Sequence, residues 1–447
     1  MLSRTSVVGL LLFLGALAVF GLSPIRQVYD SKYTIFFGEQ LLRHGSFSLP
    51  GGAFPELRSR PTGEQLTRGT TLTYHLLQQG ERYYSYFPPG SSILSIPYVA
   101  VINLFGVSAT DAEGSYDSQG ERKIQAGLAA LLMAGLCCAI FGISRCFLSF
   151  GWSALIAAAT AFGTQVWSTA SRALWADTWG IFVLSCVLLL FVRTETRGTR
   201  RHPVLLATLL SWLYFIRPTY CVPIALISAY LLIYDRRGLL PYLATGAAWL
   251  AAFIIFSRYH FGTILPEYYR ADRLTFGEGW LALAGNLISP SRGLLTFVPV
   301  LVFVAYLLIR YRGDVERRRL LWLSLAVIIL HFVIVAGHVP WGGGHAYGPR
   351  LSTGLVPWLA LLGILAAKAR LQRRTADHAI QQHSRFRWRT EWAIGAVLLV
   401  LSVTLNGVGA TSARAVQWNV VPVNIDAAPE RLWDWHDPQF LAPIRRR

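Results

Sequence analysis

SVVGLLLFLGALAVFGLSPIRQVYDSKYTIFFGEQLLRHGSFSLP, residues 6–50, decides how this chain is to be read. Its first part, 7–22, is an unbroken apolar run preceded by Arg4 and followed by no clear small-residue cleavage pattern. It reads as an uncleaved first membrane span rather than a signal peptide. Directly after it come Asp30 and Glu39, in a segment where Phe36, Phe37, Leu41 and Leu42 can face a bilayer while the two acids face water. That pattern predicts a short amphipathic helix at the membrane exit. A carboxylate so placed can act as general base toward an acceptor hydroxyl; the plainer reading is that Asp30 only caps a helix over 31–43.

Working outward, ten further apolar runs lie near 124–144, 152–170, 178–193, 203–219, 221–234, 239–257, 293–310, 320–337, 352–368 and 391–409. Composition agrees: of 447 residues 53% are hydrophobic and 14% charged, against about 25% charged in soluble domains. A twelfth run, 91–107, holds Pro97 and Asn103 between polar flanks, and reads as interfacial rather than spanning. The net charge of +18 is gathered in short clusters at 193–202, 235–237, 310–319 and 368–389. These alternate with Arg-poor connections around Asp177 and 338–350. By the positive-inside rule the clusters are cytoplasmic, which puts 23–123 outside as one large loop. No basic face on a soluble domain is present, so nucleic acid is not an expected partner. The five cysteines fall in or beside apolar runs and form no disulfide framework.

The fold expected is an all-α integral membrane bundle of about 11 transmembrane helices, with a large extracytoplasmic first loop containing juxtamembrane helices. Residues 1–370 form the catalytic module, 371–390 a basic cytoplasmic loop, 391–409 the last span and 410–447 an outer tail whose Trp418, Trp433 and Trp435 suit the interface.

Five outer-face motifs could carry chemistry. The first is the Asp30–Glu39 segment. In YYSYFPPGSSILSIP, Tyr86 and the Pro88-Pro89 pair lead into the 91–107 helix, as a rigid entry or as an aromatic ledge beside a lipid groove. WSTASRALWADTWG sets Arg172 near Asp177, where ionisable groups at a membrane edge are costly unless paired or used. In NLISPSRGLLTFVPV, Arg292 stands at a helix mouth beside two serines, a candidate anion site. GHVPWGGGHAYGPRL crowds Trp341, His345 and Arg350 around three glycines, which permit close backbone approach to a ligand; Trp341 could stack on a sugar. His338 and His345 lack an obvious third metal ligand. Arg217, before Pro218, could add a phosphate contact or snorkel. Lone His331 inside a span reads as a hydrogen-bonded packing residue.

On these motifs the chain resembles the GT-C glycosyltransferases, in the branch of protein O-mannosyltransferases and the lipid A aminoarabinose transferase. Asp30, Glu39, Leu42, Gly45 and Pro50 are similar to that branch's acidic segment after the first span, Pro88-Pro89 to its proline pair, and Asp177 to its second acidic position. One departure is Phe87, where the aminoarabinose transferase has a basic residue; the phosphate contact is therefore expected at Arg172, Arg292 or Arg350. The resemblance covers roughly 1–370. It implies a multi-pass protein of the plasma (inner) membrane, active toward the periplasm or exterior. It implies transfer of a sugar from a polyprenyl-phosphate carrier to a glycan, lipid or protein hydroxyl, with inversion. Asp30 and Asp177 would be catalytic, and Glu39, Tyr86, Pro88, Pro89, Arg172, Arg217, Arg292, Trp341, His345 and Arg350 would bind substrate. A divalent metal is compatible but not required. The alternative, a transporter or flippase of a lipid-linked sugar, predicts ionisable groups near the bilayer midplane, and the spans are nearly free of charge.

Overall fold

The computed structural model describes residues 4–55, 74–199, 201–377 and 384–445; parts of the first loop (56–73) and of the basic loop (378–383) lie outside the described residues. The first apolar run forms α1 (Arg4–Leu22) and stops at Pro24, which cannot continue a helix. Its open C-terminal carbonyls are taken by Arg172, which donates to Phe20 O (2.6 Å) and Ser23 O (2.9 Å). The segment after α1 then builds α2 (Thr34–His44) and a three-stranded antiparallel sheet of β1 (Leu49–Pro50), β2 (Leu76–Gln79) and β3 (Arg82–Ser85), ordered β1-β3-β2. Pro88-Pro89 opens α3 (Gly90–Asn103). α3, 14 residues and about 21 Å long, packs on α2.

The bundle continues with α4 (Ser118–Ser144), α5 (Phe150–Phe162), α6 (Ala176–Arg197), α7 (Pro203–Ile216), α8 (Cys221–Tyr234), α9 (Leu239–Phe261), α10 (Gly279–Ile288), α11 (Leu294–Phe297), α12 (Val300–Arg310), α13 (Arg318–Ala336), α14 (Val356–Asp377) and α15 (Ser384–Thr411), closed by α16 (Ala413–Gln417). α4 is the central mast: Asp117 caps its N-terminus, accepting from Gln119 N and Gly120 N, and α1, α5 and α6 pack around it. All eleven predicted runs are helical, and seven helices are long and apolar enough to cross a membrane: α1, α4, α6, α9, α13, α14 and α15. The chain is a multi-pass membrane protein by this measure. α5, α7, α8 and α12 are shorter apolar helices.

The run 293–310 is not one helix. It breaks at Val298-Pro299, because proline has no N–H to continue the ladder. Polar side chains on α15 satisfy the break: Asn406 Nδ2 donates to Phe297 O (3.0 Å), and Ser402 Oγ accepts from Val300 N (3.1 Å). Backbone groups freed at a buried break need protein partners of this kind. The tail also departs from expectation. Rather than lying at the interface, Trp418 is 2% exposed and joins Trp341, Ala282, Ile425 and Leu432 in an apolar cluster. The five cysteines are free.

The ends of the bundle separate by chemistry. The connections around 193–202 and 235–237 meet in a cleft lined by Glu195, Arg201, Asp235 and Arg237. Asp177 stands at the other end of α6 (Ala176–Arg197), about 30 Å away at 1.5 Å per residue.

Candidate functional site

The turn between α1 and α2 carries Asp30. It does not cap α2: the N-cap residue Tyr33 has φ +70° and gives no side-chain cap, and the open N–H groups of Ile35 and Phe36 donate instead to Glu121 Oε1 and Oε2, each at 2.9 Å. Asp30 is thereby left for another partner. Its Oδ2 accepts from Arg350 in an ion pair, and its Oδ1 accepts from Tyr74 Oη at 3.4 Å. Arg350 is itself oriented, donating to Gly343 O at 2.9 Å and lying 4.0 Å over the Trp175 ring, a favourable cation–π arrangement. Gly343 and Gly344 both have φ +71°, so the glycine run does adopt the left-handed backbone that its sequence permits. Burial, the largest single influence, pushes the Asp30 carboxyl up, but the Arg350 guanidinium together with His75 and Arg217 reverses it and holds the group below the ordinary 3.8.

Asp177 occupies the first turn of α6, where the helix dipole favours an anion. Its partner is Arg217 rather than Arg172. α7 ends before Arg217-Pro218, and Arg217 is extended (φ −162°), which turns its side chain to α6. A second constraint places the proline pair there: a Cβ on Gly90 would come within 2.6 Å of the Phe215 backbone, so α3 enters directly against the end of α7.

Asp30, Asp177, Arg217, Arg350, Pro88 and Tyr268 line one cleft of about 410 Å³. Among the described residues Ser31 Oγ and Ser91 Oγ are buried without a hydrogen-bond partner, and both residues also line the cleft. Beside it an aromatic groove of about 350 Å³ is lined by Tyr86, Pro89, Phe253 and Tyr269 and shares Phe87, Pro88 and Tyr268 with the cleft. An apolar crevice of about 1130 Å³ between α7, α8 and α9 shares Phe253 with that groove. The arrangement can hold an anion between two guanidinium groups, with a carboxylate on either side of a small polar ligand.

Five expected ligand residues lie elsewhere. Glu39 is buried and accepts from Ser108 Oγ (2.5 Å), Ala109 N (2.8 Å) and Arg43 (2.5 Å), fastening α2 to the loop after α3. Arg172 is consumed by the end of α1. Arg292 is fully engaged, donating to Gly342 O (2.8 Å), Ser291 O (2.8 Å), Gly344 O (3.1 Å), Gln439 Oε1 (2.7 Å) and Asn419 Oδ1 (2.8 Å). It braces the glycine loop against the tail and is not an open anion site. Trp341 is 5% exposed within the tail cluster and presents no face to a sugar. His345 Nε2 lies 2.8 Å from Asn424 Oδ1 and 3.2 Å from Asp426 Oδ2, outside the cleft lining. For Glu39, Arg172 and Arg292 the cause is the same: a buried carboxylate or guanidinium must find partners, and each takes the backbone and side-chain groups nearest to it in the fold. His331 is a packing residue, with Nε2 2.9 Å from Leu351 O.

Within the quoted motifs the sequence reading did not single out Ser31, Ser91 or Trp175, and it did not anticipate Tyr74, which lies outside them. It also missed Glu121 and Gln125, for which a signal existed: two polar residues four apart at the start of an apolar run. Among the described residues no group of three His, Cys, Asp or Glu side chains could hold a metal ion.

No family model matches the chain, and no curated protein matches it in sequence. Solved structures do. The Archaeoglobus fulgidus oligosaccharyltransferase in its apo form superposes with TM-score 0.54 at 12% identity, over 97% of this chain and 60% of that one. The same enzyme with an inhibitory peptide and a dolichol-phosphate gives 0.55 at 12%, over 96% and 60%; its complex with Zn and sulfate gives 0.54 at 13%, over 96% and 57%. This chain therefore spans about three-fifths of the length of the enzyme it matches. At such identity the likeness is one of fold alone: over nearly its whole length this chain shares the fold of that oligosaccharyltransferase.

Proposed function

We propose that this protein transfers a sugar from a polyprenyl-phosphate carrier to an acceptor hydroxyl at the extracytoplasmic end of the bundle. One observation carries the reading: two carboxylates far apart in sequence, each with its own arginine, line one cleft. The three hollows joined through Phe253 and Tyr268 support it, since they run from an apolar crevice suited to an isoprenoid chain to a charged cleft suited to a phosphate-linked sugar. In this reading the shorter α5, α7, α8 and α12 cross the membrane too, giving eleven spans with α3 at the outer interface.

Arg350 and Arg217 receive the carrier phosphate and stabilise the charge that grows on it as the glycosidic bond breaks. As Arg350 turns to the phosphate, Asp30 loses the influence that holds its pKa down, and burial then raises it toward the range of a useful base. Asp30 removes the acceptor proton while the acceptor oxygen attacks the anomeric carbon from the face opposite the phosphate. One displacement inverts the centre, and the phosphate departs without needing a proton. Asp177, fixed by Arg217, orients the sugar hydroxyls together with Ser31 and Ser91. The acceptor is a glycan, lipid or protein hydroxyl, and the branch with the nearest motif pattern is that of the O-mannosyl- and aminoarabinosyltransferases.

Membranes carrying wild type or Asp30→Asn, supplied with several labelled polyprenyl-phosphate sugars, test this directly. The expected result is transfer by wild type and its loss, by about 10³-fold or more, in a variant that melts like wild type. Near-normal turnover by Asp30→Asn would remove Asp30 from the base role.

A further inference from the structure

Both acid-bearing loops are tied to two neighbouring side chains on the opening turns of α4. Gln125 is fully buried. Its Nε2 donates to Ser31 O at 2.8 Å, next to Asp30, and to Glu121 Oε1 at 2.6 Å. Its Oε1 accepts from Leu174 N at 3.0 Å, in the loop that delivers Asp177. Glu121, also fully buried, accepts from Ile35 N and Phe36 N and so supplies from α4 the cap that α2 lacks. One carboxamide therefore touches the backbone on either side of the cleft, and the carboxylate one turn earlier fixes the helix that follows Asp30.

We propose that Glu121 and Gln125 are positioning residues for the transfer reaction, setting the separation of Asp30 and Asp177 by clamping their two loops to α4; the proposal rests on the function argued above. The chemistry demands a carboxamide at 125, because both its donors and its acceptor are used. Glutamate there would confront Glu121 and Ser31 O with negative charge, and leucine would fill the volume but release both loops. Neither residue lines the cleft, so each acts through the loops.

The test uses the purified full chain in detergent, with Gln125→Leu, Gln125→Glu, Glu121→Leu and the conservative Glu121→Gln. Three quantities are read: melting temperature, amide hydrogen exchange at Leu174, Ile35 and Phe36, and steady-state transfer from the polyprenyl-phosphate sugar that wild type uses. For Gln125→Leu the expected result is exchange at Leu174 faster by about tenfold or more, kcat lower by about 30- to 100-fold and KM for the donor within about threefold. Glu121→Gln keeps one acceptor oxygen, so it should fold and retain far more turnover than Glu121→Leu. Faster exchange with unchanged kcat, while Asp30→Asn is inactive, would make the pair purely structural and overturn the proposal without touching the assignment of function. Unchanged exchange at all three amides would overturn it outright. If wild type transfers no sugar, the functional reading fails, and with it the catalytic part of this proposal, leaving exchange to decide the loop clamp alone.

Discussion

Replacing Arg350 by alanine removes the group on which the cleft's charge balance turns. In the folded protein its guanidinium pairs with Asp30, donates to Gly343 O at 2.9 Å and stacks 4.0 Å over Trp175. The pair is only partly buried, with side-chain exposures of 14% and 28%. Its loss should therefore cost folding about 1–2 kcal/mol, between the value for exposed pairs and the ~3–5 kcal/mol of fully buried ones. The catalytic cost is larger. A preorganised donor aimed at developing charge supplies about 2.7–4 kcal/mol, or 10²- to 10³-fold in kcat. Arg350→Lys keeps the charge without the fork and should fall between. The variant also moves the pH profile. Asp30 is held below 3.8 in the wild type, so the stability contributed by its pair is fully present above 3.8 and is lost as pH falls through the lowered value. The acid limb of kcat/KM, which reports the free enzyme, accordingly lies below that pH. Without Arg350 the burial influence dominates, the Asp30 pKa rises, and the limb moves toward neutrality. Initial rates of labelled-sugar transfer from about pH 4 to 8, on protein matched for folded fraction, read both effects. Turnover within about threefold of wild type, or an acid limb that stays put, would refute the reasoning.

Two other expectations follow. Arg292→Gln should lower stability by about 3 kcal/mol or more, because several buried carbonyls and amides lose a charged donor; a thermal melt in detergent should show this, with KM for the lipid donor unchanged in the folded fraction, whereas a phosphate-binding role would raise KM. Gly90→Ala puts a Cβ 2.6 Å from the Phe215 backbone and should cost about 1–3 kcal/mol by overpacking, with a higher KM for the donor because Pro88 and Arg217 are pushed apart; a melt and a KM like those of wild type would contradict the close approach of α3 and α7.

The residues 6–50 and the hydropathy pattern by themselves determined the membrane bundle, the helical nature of all eleven apolar runs and the presence of a large structured loop after the first helix. Hydropathy is a local property summed along the chain, and a bilayer-length apolar run has few alternatives to a helix. The pairing of Asp30 and Asp177 to one face was also legible, because alternating basic clusters assign loops to sides. Only tertiary structure decided which arginine meets which acid. Arg172, five residues before Asp177, went to the carbonyls of α1, while Arg217 and Arg350 arrived from distant loops. A guanidinium in a buried setting takes whichever acceptors are nearest in space, and sequence spacing does not record that distance. The same reason hid Gln125, whose three hydrogen bonds join segments from three separate parts of the chain.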